Sequence, residues 1–291
     1  METLTEGYGL IEAPVWDEAR GLLFSDVVYG GVFAVTRSGD VSTVFEHRKG
    51  IGGMAAHVDG GWVVSGRNIA HKPEDGGTSI CLLDKDEPAG LVGFNDITTD
   101  SKGRIYAGGL GGNPLADDEQ AMAGSGDLFL IDLDGSVRVV GHDIRLTNGL
   151  GFSPDGRTLY HSDSMRRTVM RYDVHDDGSL GTKTPFVVTD AGAPDGLVVS
   201  EDGAVLVALA SGGHGVAVYE ADGTFREIIE IPVPMCTSVC FGGDDLRDLY
   251  VVSGSDGTGS TRAGGVYVTR CATPGVPVAP AKLTIRSTDH S

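Results

Sequence analysis

Four side chains with oxygen donors recur at nearly the same distance ahead of a glycine that marks a turn. Counted eight or nine residues ahead of Gly21, Gly103, Gly156 and Gly203, they are Glu12, Asn95, Asn148 and Asp195. Carboxylate and amide oxygens are the ligands that hard divalent cations such as Ca²⁺, Mg²⁺ and Mn²⁺ prefer. If the fold brings these positions together, they form a divalent metal site.

Each of these residues also has a plainer interpretation. Asn148 and Asp195 precede glycines, and Asn-Gly and Asp-Gly are favoured turn dipeptides. Asn95 can cap a strand through a side-chain bond to the backbone, and Glu12 can be an exposed carboxylate. The shared register favours the metal site over these separate interpretations.

The spacing of the turn residues indicates an internal repeat. The intervals between Gly21, Gly60, Gly103, Gly156, Gly203 and the equivalent Leu246 are 39, 43, 53, 47 and 43 residues. Units of this length are typical of four-stranded propeller blades, and scattered glycines with runs such as LLFSDV and VLVALA favour strands. We predict an all-β, six-bladed β-propeller of four-stranded antiparallel blades, in which residues of one register ring the central channel.

A single propeller domain is predicted over residues 1–271. Residues 272–291 form a tail that is at first Pro-rich, with a composition consistent with partial disorder. The longest interval contains the loop 108–127, and an insertion of that size usually lies on the binding face of a propeller.

The charge balance argues against several classes of partner. The chain has 22 Lys and Arg against 41 Asp and Glu, a formal net charge of -19, so nucleic acid and anionic membranes are not expected to bind. The first residues do not resemble a basic and apolar leader. The cysteines fit no zinc or CxxC spacing and are interpreted as reduced thiols: Cys81, Cys236, Cys240 and Cys271. We expect a cytoplasmic protein, and its oligomeric state stays open.

Five segments resemble, in order, the blade signatures of the SMP-30/gluconolactonase/luciferin-regenerating-enzyme-like family. They are IEAPVWDEARGLLFSDV, FNDITTDSKGRIYAGGL, TNGLGFSPDGRTLYHSDS, GAPDGLVVSEDGAVLVAL and IPVPMCTSVCFGGDDLRDLYVVS. The resemblance implies a six-bladed propeller with one divalent ion at the channel, held by Glu12, Asn148 and Asp195. It also implies that Asn95 lies near the metal and the substrate.

Opening of a lactone ring by hydrolysis is the reaction that the resemblance implies. A metal ion at the ring would polarise the ester carbonyl and lower the pKa of water. Asp195 then serves both as a ligand and as the base that accepts a proton from water. Ca²⁺ is the preferred ion, with Mg²⁺, Mn²⁺ and Zn²⁺ as alternatives. The expected substrate is a small neutral lactone or ester.

Substrate contacts are marked less clearly. Sugar-lactonase members of the family often have an arginine where this sequence has Gly93, which leaves the identity of the lactone open. Arg67 and His71, in SGRNIAHK, and Glu119, in the long loop, are predicted to contact substrate, although Arg67 and His71 also fit a solvated loop. His161, in TLYHSD, fits either a pocket residue or a buried strand histidine.

Other functions stay open at this point. No GxSxG, HExxH, P-loop or GxGxxG motif is present, and no histidine is tied by sequence to Cys236 or Cys240 as in a thiol enzyme. The alternatives to a lactonase are a non-catalytic metal-binding propeller scaffold, or an enzyme of secondary metabolism with altered chemistry or substrate. Four polar ring positions favour the enzyme, because a scaffold has no need for them.

Overall fold

The computed structural model describes residues 1–46, 48–116 and 124–285, which form six four-stranded antiparallel sheets. The first strand, β1 (Glu2–Tyr8), belongs to the last blade. Blade 1 contains β2 (Ile11–Asp17), β3 (Gly21–Asp26), β4 (Val32–Val35) and β5 (Val41–Phe45). Blade 2 contains β6 (Met54–Ala56), β7 (Trp62–Val64), β8 (Asn68–Lys72) and β9 (Ile80–Asp84). Blade 3 contains β10 (Gly93–Thr99), β11 (Ile105–Leu110), β12 (Gly126–Ile131) and β13 (Val137–Ile144).

The remaining three blades complete the predicted propeller. Blade 4 contains β14 (Thr147–Phe152), β15 (Thr158–Asp163), β16 (Thr168–Asp173) and β17 (Thr184–Val188). Blade 5 contains β18 (Ala193–Val199), β19 (Val205–Ala210), β20 (Gly215–Tyr219) and β21 (Phe225–Glu230). Blade 6 contains β22 (Cys236–Gly242), β23 (Asp248–Ser253), β24 (Gly264–Arg270) and β1. The predicted six-bladed architecture is confirmed.

Helical structure is minimal. Within the described ranges it is limited to two 3₁₀ turns, Glu87–Ala89 and Ser164–Arg166. No helix in this part of the chain has the length and apolar character needed to cross a membrane.

The turn between the first two strands has one backbone conformation in every blade. Its φ angles are 91°, 90°, 87°, 69°, 87° and 52° at Gly21, Gly60, Gly103, Gly156, Gly203 and Leu246. Glycine adopts positive φ without strain because it has no Cβ, which explains its recurrence. Leu246 departs from the glycine pattern but keeps the conformation, so the sixth unit is degenerate in sequence and regular in backbone.

Apolar side chains fill the spaces between neighbouring blades. Between blades 4 and 5, Val169 packs in one cluster with Leu197 and Val207. Between blades 5 and 6, Leu206 packs in another with Val251. Strands covered on both faces have continuous apolar runs, as VLVALA of β19 shows. The ring of blades is closed by β1, which pairs with β24 from Glu2↔Val268 to Tyr8↔Gly264.

Residues after β24 pack against the propeller. Ala281 forms a parallel bridge with His57, and the exposed fractions of Ala281 and Leu283 are 0% and 1%. The end of the channel where the positive-φ turns lie is called the turn end. We call residues 274–285 the axial strap, because they run beneath this end. The opposite end, where the innermost strands begin, is the ring end. Residues 286–291, the last part of the predicted tail, lie outside the described residues.

Candidate metal centre

A β-bulge interrupts the innermost strand at or beside each of the four predicted ring positions. The pairing register shifts between Glu12 and Val15, Phe94 and Ile97, Thr147 and Leu150, and Pro194 and Leu197. A bulge bends the strand and redirects side chains, and bulges are common beside functional sites. The repeated bulge explains how four separate strands present polar groups at one level of the channel. We call Glu12, Asn95, Asn148 and Asp195 the ring donors.

A chain of hydrogen bonds links the ring donors of blades 3 and 4 to blade 5. Asn95 Nδ2 donates to Thr147 O at 2.8 Å and also to Asn148 Oδ1. Asn148 Nδ2 donates to Ser164 Oγ at 2.7 Å, and that hydroxyl donates to Pro194 O at 2.6 Å. Both amide nitrogens are therefore held by protein acceptors. The Asn95 oxygen and the second lone pair of Asn148 Oδ1 are the donors left for a ligand.

Three carboxyl groups, one buried (Asp195) and two half-buried (Glu12 and Asp96), interact at the centre of the ring. The pKa of Glu12 lies well above 4.5, because of burial first and then repulsion from Asp195 and Asp96. The pKa of Asp195 lies well above 3.8, because burial and the Asp96 charge outweigh a hydrogen bond from the Gly196 backbone. Burial raises the pKa of Asp96 to about 7. Each group is thus disfavoured as an anion unless a positive charge is near.

This donor set fits a divalent cation. Oδ1 of Asp195 is buried and has no hydrogen-bond partner among the described residues. Among the described residues, no Lys or Arg is a cause of the pKa shifts of Glu12, Asp96 and Asp195. Buried carboxylates without a counter-charge are costly, and a bound cation offsets that cost. In the described ranges no three His, Cys, Asp or Glu side chains are grouped to hold a metal, so a cation bound here would need amide oxygens and water among its ligands.

Comparison with known proteins places the chain in a family. A family model described as the SMP-30/Gluconolactonase/LRE-like region matches residues 10–255. The chain belongs to this family. Regucalcin of Xenopus laevis is 30% identical over 277 residues, which cover 91% of this chain and 91% of that protein. A 6-deoxy-6-sulfogluconolactonase of Pseudomonas putida is 30% identical over 276 residues, which cover 91% and 92%.

The same relationship is seen in three dimensions. The solved structure of luciferin-regenerating enzyme superposes on the structure of this chain with a TM-score of 0.84, and the two sequences are 25% identical. The match covers 97% of this chain and 99% of that one. The resemblance of the five segments is therefore confirmed over nearly the whole propeller.

The turn interpretation of the Asn-Gly and Asp-Gly pairs is wrong in this family member. Asn148 and Gly149 lie within β14, and Asp195 and Gly196 lie within β18. The glycines are needed because the innermost strands approach closely: a Cβ on Gly149 would lie 2.3 Å from Leu197 N. A Cβ on Gly196 would lie 2.0 Å from Ser238 Oγ. Because these two residues have no side chain, the innermost strands can pack closely around the channel axis.

Arg67 lies at the ring end beside the strand that carries Asn95. The Phe94 N–H donates to Gly66 O at 2.7 Å, so the segment of Arg67 crosses directly over Gly93. A Cβ on Gly93 would lie 3.0 Å from Gly66 O and 4.0 Å from Arg67 Cα. Arg67 is exposed, and it makes no hydrogen bond or ion pair with another described residue. Lys85 first, and Arg67 to a smaller extent, lower the pKa of Glu87, so the Arg67 guanidinium acts on that carboxylate.

The structure does not bring His71 to the ring. Its Nε2 donates to Gly60 O at 3.0 Å, and its ring packs edge-on against His57 with centroids 4.9 Å apart. Gly60 lies in the turn before β7, at the turn end of the channel. His71 stands near the last residue of β8, opposite Val63, so its ring also lies at the turn end. Glu119, the remaining predicted substrate contact, lies outside the described residues.

The other reactive side chains are held inactive by burial. Nε2 of His161 pairs with Thr147 Oγ1 at 2.7 Å, and burial lowers the pKa of His161 to about 4. It is a neutral histidine that supports the residue before Asn148. Burial raises the pKa of the Cys240 thiol to about 12 and that of Cys236 further. Protonated thiols are poor nucleophiles, which argues against a thiol enzyme.

Sequence reasoning missed two residues of the site. Asp96 was not predicted as a site residue, yet it acts electrostatically on both Glu12 and Asp195. Ser164 orients the amide of Asn148 from a 3₁₀ turn in the same blade. The sequence signal for Asp96 is an acidic residue directly after the ring donor Asn95. Ser164 had no signal, because the sequence does not show which hydroxyl faces the ring.

Proposed function

We propose that this protein is a divalent-metal-dependent lactonase that opens a lactone ring by hydrolysis. The observation that carries the proposal is the ring of inward oxygen donors around the buried, unpartnered Oδ1 of Asp195. Membership of the SMP-30/gluconolactonase/LRE-like family supports it, and a relative of 30% identity is named a sulfogluconolactonase. A scaffold would not need three interacting carboxyl groups at the axis.

The metal would be held by Glu12, Asn148 and Asp195, with Asn95 directed at metal and substrate. Ca²⁺ is the preferred ion, because the donors are hard oxygens and one of them is a neutral amide. Mg²⁺, Mn²⁺ and Zn²⁺ are the alternatives to test. When bound, the ion supplies a Lewis acid that polarises the lactone carbonyl and makes water more acidic.

The protein's own residues then have distinct roles. With a cation present, the carboxylate of Asp195 stays ionised at neutral pH, because an adjacent positive charge lowers its pKa. Its Oδ1 accepts a proton from the attacking water. The amide of Asn95, fixed by Thr147 O, orients the substrate beside this carboxylate. The ring-opened product leaves as a hydroxy acid.

Arg67 is proposed as a substrate contact from the neighbouring blade. We expect Arg67→Ala to raise KM for a polyhydroxylated lactone about tenfold with a smaller change in kcat, because a charged hydrogen bond to substrate is lost. Steady-state kinetics of the metal-loaded enzyme measure this. Arg171→Ala, which removes an exposed arginine from β16, is the matched control. Equal KM values for Arg67→Ala and the parent would remove Arg67 from the site.

Substitution of Gly52 by alanine tests whether the position of the Asn95 amide matters for catalysis. A Cβ on Gly52 would lie 2.1 Å from Asn95 Oδ1, so Gly52→Ala must displace that amide. We expect kcat/KM to fall about a hundredfold, because misplacement by about an ångström costs that much. The control is Gly181→Ala, where the nearest atom would be Asp173 Cβ at 3.3 Å. Unchanged kinetics in Gly52→Ala would show that Asn95 does not orient the substrate.

The decisive experiment measures proton release from a panel of sugar, aliphatic and aryl lactones. The protein is first stripped with a chelator and then resupplied with Ca²⁺, Mg²⁺, Mn²⁺ or Zn²⁺ separately. Hydrolysis that disappears on stripping and returns with one ion supports the proposal and ranks the substrates. A protein that rebinds metal by calorimetry but opens no lactone would favour the scaffold or the altered chemistry.

A further inference from the structure

The axial strap joins opposite sides of the propeller. On one side Val276 N donates to Val199 O of blade 5 at 2.8 Å, and Gly275 N donates to Leu246 O of blade 6 at 2.8 Å. On the other side Ala281 N donates to Ala56 O of blade 2 at 2.7 Å. In a ring of six blades, blade 5 lies opposite blade 2. The strap therefore passes across the channel axis.

Between these attachments the strap forms one wall of the channel cavity. The cavity has a volume of about 710 Å³ and lies on the turn side of the ring donors. Val276, Pro277, Val278 and Ala279 line it together with side chains of the innermost strands, among them Leu150 and Leu197. The Thr99 hydroxyl at the end of β10 donates to Ala279 O. The strap thus contacts the strands that carry ring donors at their other ends.

Blade 2 has the shortest innermost strand that the strap contacts. Its innermost strand, β6, has 3 residues, whereas the innermost strands of the other blades have 6 or 7. The strap adds hydrogen bonds there, since Val58 N also donates to Ala281 O at 2.9 Å. Ala281 and Leu283 are buried in the same apolar cluster as Ala55 and Ile97. The shortest strand at the axis is therefore held by the strap on its turn side.

Displacement of β6 would reach the ring through close contacts. Gly52, just before β6, lies against Asn95, so that even an added Cβ would meet Asn95 Oδ1 at 2.1 Å. A Cβ on Gly53 would meet Ile97 N at 2.5 Å. Packed backbones this close cannot move independently. A shift of β6 therefore changes the position of Asn95, which is bonded to Asn148.

We propose that the axial strap is a positioning element that sets the spacing of the ring donors from the far end of the channel. This inference rests on the proposed function only in taking the ring as the metal site. Loss of the strap should loosen β6, displace Asn95 on β10 and weaken metal binding. The strap touches no ring donor directly, so its effect is transmitted through β6 and β10.

The test compares two arginine substitutions within the strap. Leu283→Arg places a charge at a side chain that is 1% exposed, whereas Thr284→Arg, the control, alters the neighbouring side chain, which is exposed and lies outside the cavity lining. For Leu283→Arg we expect faster hydrogen exchange in β6 and a Ca²⁺ Kd raised about tenfold by calorimetry, a coupling of ordinary size. Thr284→Arg should leave both close to the parent values.

Other outcomes are equally decisive. If exchange shows the strap released in Leu283→Arg while β6 stays protected and the Ca²⁺ Kd is unchanged, the proposal is overturned. If Leu283→Arg fails to fold, Thr99→Val, which removes only the hydroxyl that donates to Ala279 O, is measured in its place. If the parent protein binds none of Ca²⁺, Mg²⁺, Mn²⁺ and Zn²⁺, the proposed function fails, and β6 exchange alone decides the strap: acceleration supports it and protection overturns it.

Discussion

Replacing Asp195 by Asn is expected to lower kcat/KM for lactone hydrolysis by about a thousandfold, the usual contribution of a positioned base. The change keeps the shape of the side chain and an oxygen for the metal but removes the proton acceptor. It should also raise the thermal midpoint of the metal-free protein. The reason is that burial and the charge of Asp96 hold the pKa of Asp195 well above 3.8, so its ionised form opposes folding.

The two readouts separate the roles of Asp195. Kinetics with saturating metal report the base, and thermal unfolding in chelator reports the electrostatic cost. Asp59→Asn is the matched control, because Asp59 is exposed in the turn before Gly60 and the substitution is chemically the same. Undiminished turnover by an Asp195→Asn protein that still binds metal would exclude Asp195 as the base. A lower midpoint without metal would contradict the assignment of its pKa.

Removing the metal is expected to reverse the pH dependence that the ring carboxyl groups contribute to the free energy of unfolding. Through these groups the metal-free protein should lose stability as the pH rises. Burial raises the pKa of Asp96 from 3.8 to about 7, and the pKa values of Glu12 and Asp195 shift in the same direction. In metal-free protein the contribution of Asp96 is fully present below about pH 4 and is lost as pH rises through about 7, and the contributions of Glu12 and Asp195 have the same sign. Asp96 alone accounts for on the order of 4 kcal/mol of the free energy of unfolding. Saturating Ca²⁺ should restore about 4 kcal/mol at pH 8 when it is near a thousand times its Kd.

Denaturant unfolding between pH 4 and pH 8, with chelator and with Ca²⁺, measures this effect. Other groups titrate over the same range, so the comparison is made against Asp96→Asn, which should flatten the decline in chelator. The exposed Asp59→Asn serves again as the control and should follow the parent curve. If the metal-free parent is as stable at pH 8 as at pH 5 relative to Asp96→Asn, the three carboxyl groups do not share one buried centre.

The repeat was readable from the sequence because it depends on local conformation. A positive φ favours glycine wherever the turn recurs, so the intervals from Gly21 to Gly203 marked the blades directly. The register of the ring donors followed from the same count. Even Leu246, which keeps the turn conformation at a φ of 52°, was located by spacing and not by residue type.

The turn interpretation of Asn148-Gly149 and Asp195-Gly196 failed for a physical reason. The same dipeptides satisfy two demands, a tight turn and the close approach of strands at an axis, and only the neighbouring strand distinguishes them. His71 illustrates a similar limit: its place in the second unit was known, but the end of the channel that its ring faces depended on the strand it joined. Its bond to Gly60 O puts it at the turn end.

By itself, the sequence determined the number of blades, the turn positions and the residue types at the ring register. These follow from period, backbone preference and side-chain chemistry, all of which are local. Only the tertiary structure decided that bulges aim the ring donors, that Asp96 joins their electrostatics and that the axial strap crosses the channel. Those features arise from contacts between strands distant in sequence, whose geometry is set by packing around a common axis.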